Sequence, residues 1–369
     1  STIVGRLYGI DDPRRDAGFT IFYMGINLGA LTATLVCGYL GVTYGWGYGF
    51  GVAGIGMLFG LVTFLHGQKH LRGHAEPPVP ERLREPALPG LNKEWAIYLG
   101  AGAGVVAAWQ MLQFHGAVGV LLNVLAIVVL LGLAWFIAFC CNPVERSRML
   151  VLVALTICSV VFWSLFEQSA ASMTLYADRV MDRTVFGINF TAAQFGFFNA
   201  FFIFLLAPVF AWLWTVLGRR GIEPSTPVKF GLGVAFAGLG FGALVLGAAS
   251  PNEAGLVIGY WMVLAYLLHT AGELCLSPVG LSAVTKLSVP GVVGVMMGAW
   301  FLATAYSQHV AAQLSKLAAL DLQAGAGDVA TALATYTELF TSLFYVGLGV
   351  AAVQFLLAPL LKKMMHGIH

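Results

Sequence analysis

The sequence predicts an all-α membrane protein that crosses the bilayer many times. Three observations carry that prediction. First, 59% of its 369 residues are hydrophobic and only 10% are charged, where soluble domains carry about a quarter charged residues. A chain this apolar cannot cover its own surface with polar groups in water, so its solvent is a bilayer. Second, the apolar residues come in runs of about twenty, the length of a spanning helix, and not in the alternating segments of about ten that mark a barrel. Third, the basic residues crowd into alternate loops, as the positive-inside rule requires.

Ten runs are long enough to span. They cover residues 18–41, 47–66, 94–113, 117–140, 149–173, 192–217, 228–249, 255–285, 291–317 and 335–361. Many of the 45 glycines sit inside these runs, as in "GFGVAGIGMLFG" and "GLGVAFAGLGFGALVLG". In water they would weaken a helix; in lipid they let backbones approach closely. The longest polar stretch, residues 66–94, is rich in Pro, Arg and Glu and is expected to be a mobile linker between two bundles. Placing the first polar segment in the cytoplasm puts sixteen of the nineteen Lys and Arg on that side, with only Arg179, Arg183 and Lys316 opposite. The 66–94 linker and the C-terminus are then cytoplasmic.

Composition excludes several classes. A net charge of +2 implies no nucleic-acid partner. The five cysteines lie in or at the ends of apolar runs without a pairing pattern, so they read as free thiols. Residues 1–16 are polar and charged, unlike a signal peptide. His269 and Glu273 are spaced i, i+4, but a catalytic zinc needs about three protein ligands, and the only further mid-span histidine candidate is His309. Ser277 and His269 lie two turns apart with Pro278 beside the serine and no oxyanion loop, which excludes a nucleophile and base. No phosphate loop follows a strand. Neither an enzyme nor a metal site is expected.

The polar groups at membrane depth carry the functional expectation. Glu167 in "FWSLFEQ" and Glu273 in "HTAGELCLSPVGLS" both fall inside apolar runs. A carboxylate there costs about 2.5 kcal/mol or more on insertion scales and marks a pathway by default; the bland alternative is a structural ion pair or a protonated packing acid. No Lys or Arg lies deep in a span to meet either acid. Either both stay protonated, or their bases lie outside these residues. Trp163 with Glu167, Glu273 with Ser277 and Trp300 with Thr304 share helix faces at i, i+4. Asn27 and Asn199 sit in apolar surroundings, where interhelical hydrogen bonding is the simplest role. Trp163 and Trp300 lie deeper than interfacial tryptophans usually do, as cavity walls or as packing.

Four motifs in order resemble one known family. "GRLYGIDDPRRDAGFTIFYMGINLGA" (residues 5–30) is similar to a signature of the proton-dependent oligopeptide transporters of the major facilitator superfamily. "FWSLFEQSAASMTLYADR" resembles that family's seventh core helix, "GELCLSPVGLS" its tenth and "GAWFLATA" its eleventh. The resemblance implies core helices five to twelve plus the pair inserted in bacterial members. Residues 1–66 would end the N-terminal bundle, 67–93 form the linker, 94–147 the inserted pair and 148–369 a six-helix C-terminal bundle. The family's first-helix E-x-x-E-R motif and fourth-helix lysine have no counterpart here, which implies that about four helices are missing before Ser1. Their arginine and lysine would partner Glu167 and Glu273.

The resemblance further implies a proton-coupled importer of di- and tripeptides in a bacterial inner membrane, expected to be a monomer, with the proton as coupling ion and no other cofactor. A carrier of another solute (a drug, nitrate or an amino acid) remains the alternative. Glu167 would be the proton-coupling acid. Glu273 would bind the peptide amino terminus, with Ser277 nearby, and Asn27 and Asn199 would hydrogen-bond the peptide. Trp163, Trp300 and Phe301 would line side-chain pockets, and Asp178 would serve a gate.

Overall fold

A computed structural model describes residues 15–71, 73, 79–324 and 328–367. The first half of the 5–30 motif lies outside them, as do Arg6, Arg14 and Arg72. The described chain is helical almost throughout. Its long helices are α1 (Arg15–Tyr44), α2 (Trp46–Gly67), α3 (Lys93–Gln113), α4 (His115–Phe139), α5 (Pro143–Phe166), α7 (Phe197–Arg219), α8 (Thr226–Ala248), α9 (Tyr260–Leu287), α10 (Val293–Ala324) and α11 (Val329–Met364). A short helix, α6 (Ser172–Arg179), follows α5 after one 3-10 turn.

Each of the ten predicted runs overlaps one long helix. Among the described residues, eight segments are long and apolar enough to cross a membrane. The helices outside those eight are α3, which starts on Lys93 and Glu94, and α10, which carries Ser307, Gln308, His309, Gln313 and Ser315. Their described residues do not reach that length and apolar character, against ten expected spans. The linker differs too. Its described part holds a 3-10 turn at Gln68–Leu71, a helical turn at Glu81–Arg84 and a small hairpin pairing Pro86–Leu88 with Leu91–Asn92. Lys93 pairs with Glu85 across the base of that hairpin, so this end of the linker is ordered by backbone pairing and one ion pair.

Local chemistry explains where helices start and stop. Asn142 caps α5: its side chain accepts from the Glu145 amide, Glu145 accepts from the Asn142 amide, and Pro143 occupies the first helical position. Arg146 then reaches back, donating to the carbonyls of Ile137 and Ala138 at the end of α4. It satisfies acceptors that a helix C-terminus leaves free. A tight hairpin between α6 and α7 turns on Phe186 and Gly187, whose φ of 52° and 76° lie in the left-handed region.

The core sits in the C-terminal half, where α8 packs against α9 and α11, and α5 joins them. Glycines set the spacing. A Cβ on Gly272 would lie 2.6 Å from the Gly233 carbonyl oxygen, and one on Gly347 would lie 2.7 Å from the Gly238 Cα. Small residues at both crossings let the backbones meet, as expected for helices packing in lipid. Helix α1 leans on the 3-10 turn Ala192–Gly196 that leads into α7: Gly38 lies against Ala193, Thr34 against Gly196, and Gln194 donates to the Leu35 carbonyl. By contrast α2, α3 and α4 present exposed apolar side chains such as Met57, Phe59, Val105 and Leu131, a surface for lipid and not for water.

Candidate functional site

Two polar centres lie inside the C-terminal half. The first joins α7 and α9. Asn199 Nδ2 donates to Glu273 Oε2 at 3.0 Å and to Thr270 Oγ1 at 3.1 Å, while the Thr270 hydroxyl donates to the Tyr266 carbonyl at 2.7 Å. The two amide protons of one asparagine are thereby placed on two oxygens. Glu273 and Thr270 are one turn apart, so α9 offers both on a single face. Pro278, inside α9, cannot donate to the carbonyl four residues back, which loosens the helix one turn after Glu273. Ser277 is half-buried in that turn, four residues from Glu273.

The second centre joins the end of α5 to α10. Helix α5 ends at Phe166, and Glu167 opens a 3-10 turn, Glu167–Ala170, before the chain bends at Ala171 into α6. The unbroken span expected over 149–173 is therefore two helices with the acid at their junction. Glu167 Oε1 accepts from Gln308 Nε2 at 3.3 Å. Among the described residues no ion pair reaches either acid: those present join Lys93 to Glu85, Arg183 to Asp178 and Lys229 to Glu223.

The other expected site residues fall in different places. Trp163 is half-buried one turn before Glu167, edge-on to Phe162 and Phe166. Trp300 is only 6% exposed, with its ring against Gly280 and edge-on to Phe230, while its neighbour Phe301 is 59% exposed. Asn27 is buried on α1. Asp178 pairs at 2.9 Å with Arg183, five residues along the same chain end. His269 is fully buried, and its Nε2 lies 3.0 Å from the Ala237 carbonyl, which can only accept. Nε2 therefore carries the proton, and Phe166 and Phe241 flank the ring. Among the described residues no three His, Cys, Asp or Glu side chains gather as metal ligands, and all five cysteines are free thiols.

Thr270 and Gln308 escaped the sequence reading. Both were findable as mid-span polar residues, Thr270 one turn before an acid and Gln308 beside His309. What hid Gln308 was that its partner lies on another helix. A separate cavity of about 370 Å³ lies between α4, α5 and α10, lined by Asn123, Thr156 and Tyr306 among apolar residues. It contains neither acid.

Comparison with known proteins follows the same lines. A family model described as "POT family" matches residues 1–329. A protein of Bacillus subtilis called an uncharacterized transporter, YclF, is 37% identical over all of this chain, which spans 72% of that protein. The peptide transporter YePEPT of Yersinia enterocolitica is 38% identical over 82% of this chain, and only 62% of its own length is matched. Among solved structures, a peptide transporter POT bound to sulfate superposes with a TM-score of 0.79 at 36% identity, covering 99% of this chain and 72% of that one. Tetrameric PepTSo2 superposes with a TM-score of 0.77 at 25% identity, covering 98% of this chain and 74% of that one.

Proposed function

This chain belongs to the POT family, and from that premise we propose that it works as part of a proton-coupled symporter that imports di- and tripeptides by alternating access. It is an all-α, multi-pass membrane transport protein and not an enzyme. The observation that carries the substrate reading is the Asn199–Glu273–Thr270 cluster. A carboxylate with an amide beside it, at membrane depth in a transporter, suits a peptide amino terminus: the acid meets the ammonium and Asn199 offers a carbonyl once turned.

In this reading Glu167 is the proton-coupling acid and Glu273 the amine-binding acid. Asn199, Asn27 and Ser277 supply hydrogen bonds to the peptide. Trp163 and Phe301 wall the side-chain pockets. Trp300 shapes such a pocket through its packing on Gly280, and Asp178 with Arg183 belongs to the outer gate. Protonation of Glu167 weakens its hold on a charged partner, peptide competes for Glu273, and each event biases one bistable interface between bundles. Residues 1–66 serve the first bundle, 67–93 the cytoplasmic linker, 94–147 the inserted pair and 148–369 the second bundle. The protein sits in the bacterial inner membrane with its C-terminus cytoplasmic. One protomer is the transporting unit, although the related PepTSo2 was solved as a tetramer.

The test is uptake of a labelled dipeptide by the full-length protein in vesicles under an inward proton gradient. Glu167→Gln is expected to abolish accumulation above equilibrium while peptide exchange persists. Wild-type accumulation of peptide by that variant would overturn the coupling role. Competition by free amino acids, nitrate or drugs in place of dipeptides would overturn the substrate class.

A further inference from the structure

Glu167 has a neighbour, Gln168, that no step of transport described above uses. Gln168 is fully buried. Its Nε2 donates to the Ala311 carbonyl at 3.0 Å and to the Ser164 carbonyl at 3.4 Å. Its Oε1 accepts from the Ser172 hydroxyl at 2.7 Å and from the Ser315 hydroxyl at 2.8 Å. Both donors and both lone pairs of one amide are occupied, by partners on α5, α6 and α10. The Ser164 hydroxyl donates within α5 to the Val160 carbonyl at 2.7 Å and lies 3.3 Å from the Ser307 carbonyl of α10. A buried network satisfied to this degree rigidifies what it joins, because losing any member strands another polar atom in an apolar surrounding.

The placement gives this network a consequence. Glu167 and Gln168 are adjacent on the 3-10 turn that breaks α5 from α6, a kind of segment that often serves as a hinge. Glu167 meets Gln308, while Gln168 meets Ala311 and Ser315. Positions 308, 311 and 315 are spaced i, i+3, i+7, so one face of α10 holds both residues of the turn. We propose that Gln168 is a positioning residue that clamps the Glu167 turn to α10, so that the proposed proton site and α10 move as one body when the transporter changes face. The contribution to transport rests on the symport reading above; the clamp itself does not.

Two readouts on the full-length protein separate these parts. Spin labels at Ala170→Cys and Ala312→Cys, with the native cysteines replaced, report the distance from turn to α10. The wild-type background is expected to give one narrow distance and Gln168→Met a broadened or second one. An unchanged distribution overturns the clamp. In vesicles, Gln168→Met is expected to lower proton-driven accumulation relative to peptide exchange by about tenfold or more, as misplaced reacting groups do. A merely structural role would lower both in proportion to folded protein and leave their ratio and KM intact, and that result overturns the coupling part. Ser315→Ala, which removes one partner only, is expected to act in the same direction with smaller size and serves if Gln168→Met does not fold. Absence of peptide uptake in the wild type would overturn the symport reading, and the distance comparison would still decide the clamp.

Discussion

Asn199 shows what one residue can settle. In sequence it is an asparagine among phenylalanines, and its simplest role is interhelical glue. The structure gives it that role and adds a partner, because the oxygen it reaches belongs to Glu273. Removing the amide leaves a buried carboxylate and the Thr270 hydroxyl without their donor, at a cost of about 1–3 kcal/mol. Asn199→Leu is therefore expected to weaken dipeptide binding about ten- to hundredfold in titration calorimetry; unchanged affinity would remove Asn199 from the site. Glu273→Gln keeps the shape and loses the charge. Wild-type protein is expected to bind a free dipeptide well ahead of its N-acetylated form, and the variant is expected to narrow that gap. Equal discrimination in both proteins would place the amine elsewhere. Both acids were legible as polar groups in greasy runs. That Glu167 meets Gln308 was not, because 141 positions separate the two in the chain.

At the scale of the helix, the length of the apolar runs located every long element but blurred their ends and missed the break at Ala171. An all-apolar window has no periodic stripe to lose, so a 3-10 turn within it leaves no trace. Glycine contacts were legible in kind and not in place. Gly272→Ala is expected to force α9 off the Gly233 carbonyl and cost about 1–3 kcal/mol, read as a lower melting temperature in detergent. Gly100→Ala on α3, with nothing within 4 Å of the added carbon, is expected to change stability by less than about 0.5 kcal/mol. Equal shifts would refute close backbone packing as the reason for the core glycines. Asn142→Ala removes the α5 cap and is expected to cost about 1 kcal/mol, by the same measurement.

At the scale of the molecule, the loop charges make a prediction of their own. Glu253, on the loop between α8 and α9, and Lys363, in the last turn of α11, are both exposed and are assigned to opposite sides. With native cysteines replaced, Glu253→Cys is expected to react with an impermeant thiol reagent added to intact cells, and Lys363→Cys only after permeabilisation. The reverse pattern would invert the topology.

Class and the positions of the long helices followed from the sequence alone, because the bilayer imposes a length and a polarity that each residue registers locally. The pairing of Asn199 with Glu273 and of Gln308 with Glu167, the seating of Trp300 against Gly280 and the hydrogen-bond partners of Gln168 were decided only by tertiary structure. Between helices in lipid there is no hydrophobic stripe to set the rotation. Which face meets which is set by small residues and scattered hydrogen bonds, and their partners become visible only once the helices are packed.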